Sequence, residues 1–227
     1  MPTLRKAAST GGLLLALATS AIAASSSYAA PPESTMKKPS KALVGKPAPA
    51  FELLDTDGKE VSLASLRGRV VVLEWFNPDC PFVKFAHTKG PLVEMAKQRS
   101  SDKLAWLIIN SNAPGKQGHG RERNVRAKDE YGIVSPVLLD EGGDVGRAYG
   151  AEKTPHVYVI DAKGILRYAG GLDNAPMGVV DDARPHSNTA KGALEPYLSN
   201  AIDDVLQKRA VRLSETPVYG CTVKYTD

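Results

Sequence analysis

Only two cysteines, Cys80 and Cys221, occur in 227 residues, and they stand 141 positions apart. The sequence has no C-x-x-C pair, no H-x-x-x-H and no Cys/His ligand set. A zinc site, which gathers four such side chains at short spacings, is therefore not expected, and no other metal or organic cofactor is implied. Long apolar runs are also absent. The longest near the start, residues 11–23, "GGLLLALATSAIA", falls short of the about 20 apolar residues that cross a bilayer. Positive charge is in excess by four, but no Lys/Arg cluster or aromatic-interleaved basic stripe accompanies it. Nucleic acid is accordingly not an expected partner.

What is present begins with Arg5 and Lys6, the apolar stretch, and small-residue sites at Ala21-Ile22-Ala23 and Ser27-Tyr28-Ala29. This layout predicts a secretory signal peptide over residues 1–29, and so a periplasmic or extracellular protein with no stable membrane anchor after cleavage. Loss of Arg5 and Lys6 lowers the formal charge from +4 to +2. Both cysteines remain in the exported chain, where oxidising conditions permit a disulfide between them. Residues 30–42, polar and rich in Pro and Lys, read as a flexible linker. A folded domain is expected over 43–210, with a tail at 211–227 that carries Cys221.

Within the domain, two short apolar runs at 51–54 and 61–63 flank Asp57-Gly58, a hairpin signal. The run "VVVLEWF" (70–76) is β-branched, aromatic and interrupted only by Glu74, as expected of a central strand covered on both faces. A helix is predicted from Pro81 to about Ser100, broken or kinked at Gly90-Pro91. Strands are expected at 104–111, 135–141, 156–161 and 165–171, and helices at 121–131 and 144–150. A loop at 172–192 leads to a last helix whose apolar face is Leu194, Tyr197, Leu198, Ile202, Val205 and Leu206. Alternation of strands and helices makes this an α/β fold: a central sheet flanked by helices, with an N-terminal hairpin extension and a C-terminal tail.

The stretch "NPDCPFVK" (77–84) sets Cys80 between the central strand and a helix. A thiol attacks as its thiolate, so a redox cysteine needs a lowered pKa and solvent access. A helix N-terminus favours the anion through unpaired N–H groups and the dipole. Pro81 suits the first helical position, which puts Cys80 at the N-cap. Lys84, one turn on, adds positive charge, and Asp79 opposes it.

The segment "VGKPAPAFELLDTDGKEVSLASLRGRVVVLEWFNPDCPF" resembles the N-terminal half of redoxin proteins, the alkyl hydroperoxide reductase/thiol-specific antioxidant group. The resemblance continues through "DEGGDVGRAYGAEKTPHVYVIDAKGILRYAGG", and so spans residues 43–171. It implies a thioredoxin-like fold with a mixed sheet and a thiol-dependent oxidoreductase acting on a disulfide or thiol, protein or small molecule. In such proteins Thr154-Pro155 matches the cis-proline loop beside the reactive cysteine, and Glu74 matches a buried acid on the central strand. Glu74 is thus expected to exchange a proton with a cysteine, and Thr154, Pro155, Pro81 and Lys84 to shape the substrate site.

Three positions depart from family patterns. Val83 replaces the second cysteine of thioredoxin proper. Asn77 stands where peroxiredoxins carry threonine or serine, and Pro155 takes the place of their peroxide-binding arginine. The last two favour the thioredoxin-like branch over a peroxide-specific site. The resolving partner is then sought at Cys221. Eleven residues, 211–221, reach roughly 35 Å when extended, against a radius of gyration of about 16 Å for a domain this size. "PVYGCTVKY" is composed like a segment that docks, as an added edge strand, and it resembles the ending of exported redoxins that share "NPDCPF". Three arrangements remain open: Cys221 resolves Cys80, the two form a static disulfide, or they never meet. The function alternatives are correspondingly a thiol–disulfide oxidoreductase, a peroxiredoxin-like peroxidase, and a non-catalytic binding module with a structural disulfide. His87 is expected at the surface and His156 along the substrate groove, while His119 and His186 have no assigned role.

Overall fold

The computed structural model describes residues 41–175 and 193–226. The signal-peptide reading, nearly all of the linker, the loop 176–192 with His186, and Asp227 lie outside the described residues. The β-branched run forms the centre of the molecule as β3 (Val70–Trp75), with all six residues buried. Side chains alternate along it: Val70 and Val72 face one apolar cluster, Val71, Leu73 and Trp75 the other. Burial on both faces is what selects so continuous an apolar strand. Each such Val or Leu contributes about 1.5–3 kcal/mol when fully buried.

Around it, β1 (Glu52–Leu54) and β2 (Glu60–Ser62) pair antiparallel as the predicted hairpin. Then come β4 (Leu104–Asn110), β5 (Val137–Leu139), the short β6 (Lys153–Thr154), β7 (His156–Ile160) and β8 (Leu166–Gly170). The main sheet has the order β5-β4-β3-β7-β8. The pairs β3–β4 and β4–β5 are parallel, and β3–β7 and β7–β8 antiparallel. One face is covered by α1 (Pro81–Thr88), α2 (Leu92–Arg99), part of α3 (Arg121–Tyr131) and α5 (Tyr197–Leu206). The other carries the hairpin region and Tyr149 of α4 (Asp144–Tyr149). A two-residue strand near the end of the chain, β9 (Cys221–Thr222), pairs with β6. Among the described residues no helix is long and apolar enough to cross a membrane.

The helical stretch over 81–100 breaks at Gly90-Pro91, as expected: Pro91 has no N–H to continue the first helix and stands instead at the N-cap of α2. Two predicted elements differ. The strand predicted at 135–141 shrinks to Val137–Leu139. The last helix starts at Tyr197: Pro196 disfavours helical geometry at Glu195, so Leu194 is left 59% exposed. The buried stripe of α5 is Leu198, Ala201, Ile202 and Val205.

Candidate active site

At the end of β3 the chain turns through Asn77-Pro78-Asp79 into α1. The Asn77 side-chain oxygen accepts the Asp79 N–H at 2.9 Å and closes the turn locally. Gly118 packs on that side chain so closely that a Cβ would collide with it. Cys80 is the N-cap of α1 and Pro81 its first residue, but the cysteine side chain makes no capping hydrogen bond. Its thiol instead donates to the Thr154 carbonyl oxygen at 3.2 Å. The Thr154–Pro155 peptide bond is cis. Pro81 is half-buried, Thr154 and Pro155 are buried, and Lys84 is exposed.

The tail arrives at the same carbonyl. Antiparallel pairing sets Cys221 opposite Thr154 and Thr222 opposite Lys153. Both thiols are free, and Cys221 packs against the cluster that contains Cys80. Burial, together with the hydrogen bond and charge of Cys80, pushes the Cys221 thiol up to about 12. Tyr219 and Cys221 pack on the cluster that contains Cys80, whose own exposure is 0%. The solvent access expected of a cysteine at a strand–helix junction is therefore corrected, because the tail covers the junction.

Glu74 lies on the same face of β3, fully buried. Its carboxylate meets His87 Nε2 at 2.6 Å and accepts from Trp106 Nε1 at 3.2 Å. Neither thiol is among its hydrogen-bond partners, so the direct proton exchange expected of it has no contact to run through. His87, expected at the surface, is buried on α1 and stacks on Tyr131, with ring centroids 5.9 Å apart. Tyr131 donates to the Pro78 carbonyl at 2.6 Å. Arg123 binds Asp79 at 2.7 Å and the Pro78 carbonyl at 3.2 Å. Burial alone would weaken the guanidinium's hold on its proton, but the hydrogen bond and charge of Asp79 outweigh it and raise the pKa. His156 pairs beside Trp75 on the opposite face of the sheet, stacked on Tyr158 at 4.5 Å. Burial, and then Lys41, push it down to about 4; it does not line the Cys80 site.

Arg123, Tyr131 and Trp106 are the residues that sequence reasoning missed. Nothing in the polar run 121–131 distinguishes Arg123 from its neighbours Arg121 and Arg126. Among the described residues no group of three or more His, Cys, Asp or Glu gathers as a metal would require.

A mixed sheet of this order, a cysteine at a helix N-cap and, at hydrogen-bond distance from it, the carbonyl of the residue before a cis-proline define a thioredoxin-like, thiol-dependent oxidoreductase. The chain belongs to the AhpC/TSA family, which it matches over residues 44–169. It is 30% identical over 124 residues to the thioredoxin-like protein YneN of Bacillus subtilis, covering 54% of this chain and 68% of that one. It is 32% identical over 133 residues to a Mycobacterium tuberculosis protein named among the peroxiredoxins, covering 58% and 79%. The thiol-disulfide oxidoreductase ResA of Bacillus thuringiensis is 28% identical over 131 residues, covering 56% and 69%. Among solved structures, an uncharacterized conserved protein of Geobacillus kaustophilus superposes with a TM-score of 0.68 at 28% identity, covering 81% of this chain and 93% of that one.

Proposed function

We propose that the protein is an exported thiol–disulfide oxidoreductase in which Cys80 is the nucleophile and Cys221 resolves it within the chain. The Cys80 thiolate attacks one sulfur of a substrate disulfide. That S–S bond breaks, one substrate thiolate leaves and takes up a proton, and a mixed disulfide on Cys80 remains. Cys221, deprotonated, then attacks the Cys80 sulfur and expels the second substrate thiol. Two electrons pass from the cysteine pair to the substrate, and an external dithiol returns them. The observation that carries this reading is the convergence of both cysteines on Thr154: Cys80 donates to its carbonyl and Cys221 pairs opposite it. Pro155 and Pro81 shape the site, and Lys84 supplies positive potential from the helix surface. Glu74 enters as the anchor of α1 through His87 rather than as a proton carrier.

Intact-mass analysis tests it. A substrate disulfide converts the wild type to a species two hydrogens lighter, Cys221→Ser stops at the mixed disulfide, and Cys80→Ser gives neither. A Cys80–Cys221 couple with a potential below about −300 mV would mark a structural staple and overturn the reading. Export is supported by the layout of residues 1–29; a mature N-terminus following Ala23 or Ala29 in the exported fraction checks it.

A peroxidase reading has support in the M. tuberculosis relative's name. There peroxide oxidises Cys80 to a sulfenic acid and Cys221 condenses with it, releasing water. Peroxide consumption without disulfide reduction would favour it.

A further inference from the structure

We infer that the oxidant which reaches Cys80 is a low-molecular-weight disulfide rather than an extended polypeptide, because the chain's own tail occupies the peptide-accepting edge beside Cys80, and that Gly220 is the positioning residue that seats it there. This rests on the reading of Cys80 as the nucleophile. An extended peptide binds by adding a strand to a free sheet edge. The only edge next to the Cys80 thiol among the described residues is β6, whose Thr154 carbonyl receives that thiol. That edge is already paired, in antiparallel register, by Cys221 and Thr222.

The tail is held on both sides of this pairing. Upstream, Ala169 N donates to the Ser214 carbonyl at 3.0 Å, Thr216 N to the Ala169 carbonyl at 3.2 Å, and Tyr219 donates to Asp173 at 3.0 Å. Downstream, Val223 N donates to the Glu152 carbonyl at 3.1 Å and Ala113 N to the Lys224 carbonyl at 2.8 Å. Tyr225 donates to the Ala151 carbonyl at 2.8 Å, and Arg147 sits 4.8 Å over its ring. A polypeptide competing for the edge must lift this whole strap. A small disulfide needs only the two-residue β6–β9 pairing to part while the anchors on either side hold.

Gly220 makes the close seating feasible. Its φ of +122° is one that residues with a Cβ rarely adopt, and a Cβ there would run into the Thr154 carbonyl oxygen. A side chain at 220 therefore lifts the tail from the atom that also receives the Cys80 thiol, and opens the edge.

The test uses the full chain carrying Cys221→Ser, so that attack stops once Cys80 has joined one substrate sulfur and released the other as a thiol. Two probes are compared by acid-quenched intact mass: oxidised glutathione, and a twelve-residue peptide dimer joined by one disulfide. Each rate is divided by that of free N-acetylcysteine with the same probe. With Gly220 present, glutathione is expected to react at least tenfold faster than the peptide. Adding Gly220→Val should raise the peptide rate at least tenfold and the glutathione rate by less, so that the ratio between the two probes falls. Gly220→Ala should move both in the same direction by less, and serves if the valine variant does not fold. A peptide as fast as glutathione with Gly220 in place, or no gain from either substitution, overturns the inference alone. No adduct with either probe overturns the assignment of Cys80 as nucleophile as well.

Discussion

Asp79 sets a carboxylate one residue before Cys80, where it opposes a thiolate, and Arg123 compensates it from α3. An unbalanced carboxylate there is worth about 1 kcal/mol in partly solvated surroundings. Arg123→Met should therefore slow iodoacetamide alkylation of Cys80 roughly fivefold at pH 7. The loss should vanish when Asp79→Asn is added. The Glu74–His87 pair makes a different kind of prediction. Removing one partner of a buried pair costs about 3 kcal/mol or more, because the other is left unpaired. Glu74→Ala should lower unfolding free energy by about that amount in urea titration, and Glu74→Gln by less. In the protein that remains folded, the rate of Cys80 alkylation should change less than twofold, since the carboxylate contacts neither thiol. Glu74 could be singled out in the sequence as the one polar residue of an apolar strand. Its partners could not, because His87 and Trp106 reach it through the packing of α1 and β4 on one face of the sheet.

At the scale of elements, the junction between α5 and the tail is held by Asp204. Its buried carboxylate accepts from Arg209 at 2.7 Å and Arg212 at 2.9 Å. These hydrogen bonds, Arg212 first, hold its pKa down at about 2. A carboxylate depressed on folding stabilises the native state above its unfolded pKa of about 4 and loses that contribution as pH falls through about 2. Both arginines are more than half exposed, so solvent screening limits the effect to about 1 kcal/mol. Asp204→Asn should cost that much in urea unfolding at pH 7 and almost nothing near pH 2. The helices and strands themselves were mostly legible. The break at Pro91 was legible, because an imide nitrogen cannot donate; the late start of the last helix was not, because Pro196 crowds the residue before it.

At the scale of the whole molecule, the tail converts a surface junction into a closed site. Burial and Cys80 raise the Cys221 thiol to about 12, against about 8.5 for a free cysteine. A thiol raised on folding favours the docked tail below pH 8.5 or so and loosens it as pH rises toward 12. For the same reason only a trace of Cys221 is thiolate at neutrality. In a mixed disulfide the hydrogen bond and charge of Cys80 are gone and burial alone holds the Cys221 thiol up. Clearance from Cys80 should therefore accelerate as pH rises from about 7 to 9, by up to about tenfold per unit, as expected when the thiolate alone attacks. Rapid-quench mass spectrometry at several pH values measures this, and a flat profile would assign the resolving step to another group.

The α/β layering, the central strand and the N-cap position of Cys80 were legible in the residues alone. These follow from local rules: side-chain period, β-branching, proline at the first helical position. That Cys80 is buried, that Arg123 balances Asp79, that Glu74 turns to His87 and that Cys221 pairs opposite Thr154 came from the fold alone. Each of these joins residues distant in sequence, and proximity of that kind comes from packing two faces of a sheet and folding a tail across its edge, which no local pattern encodes.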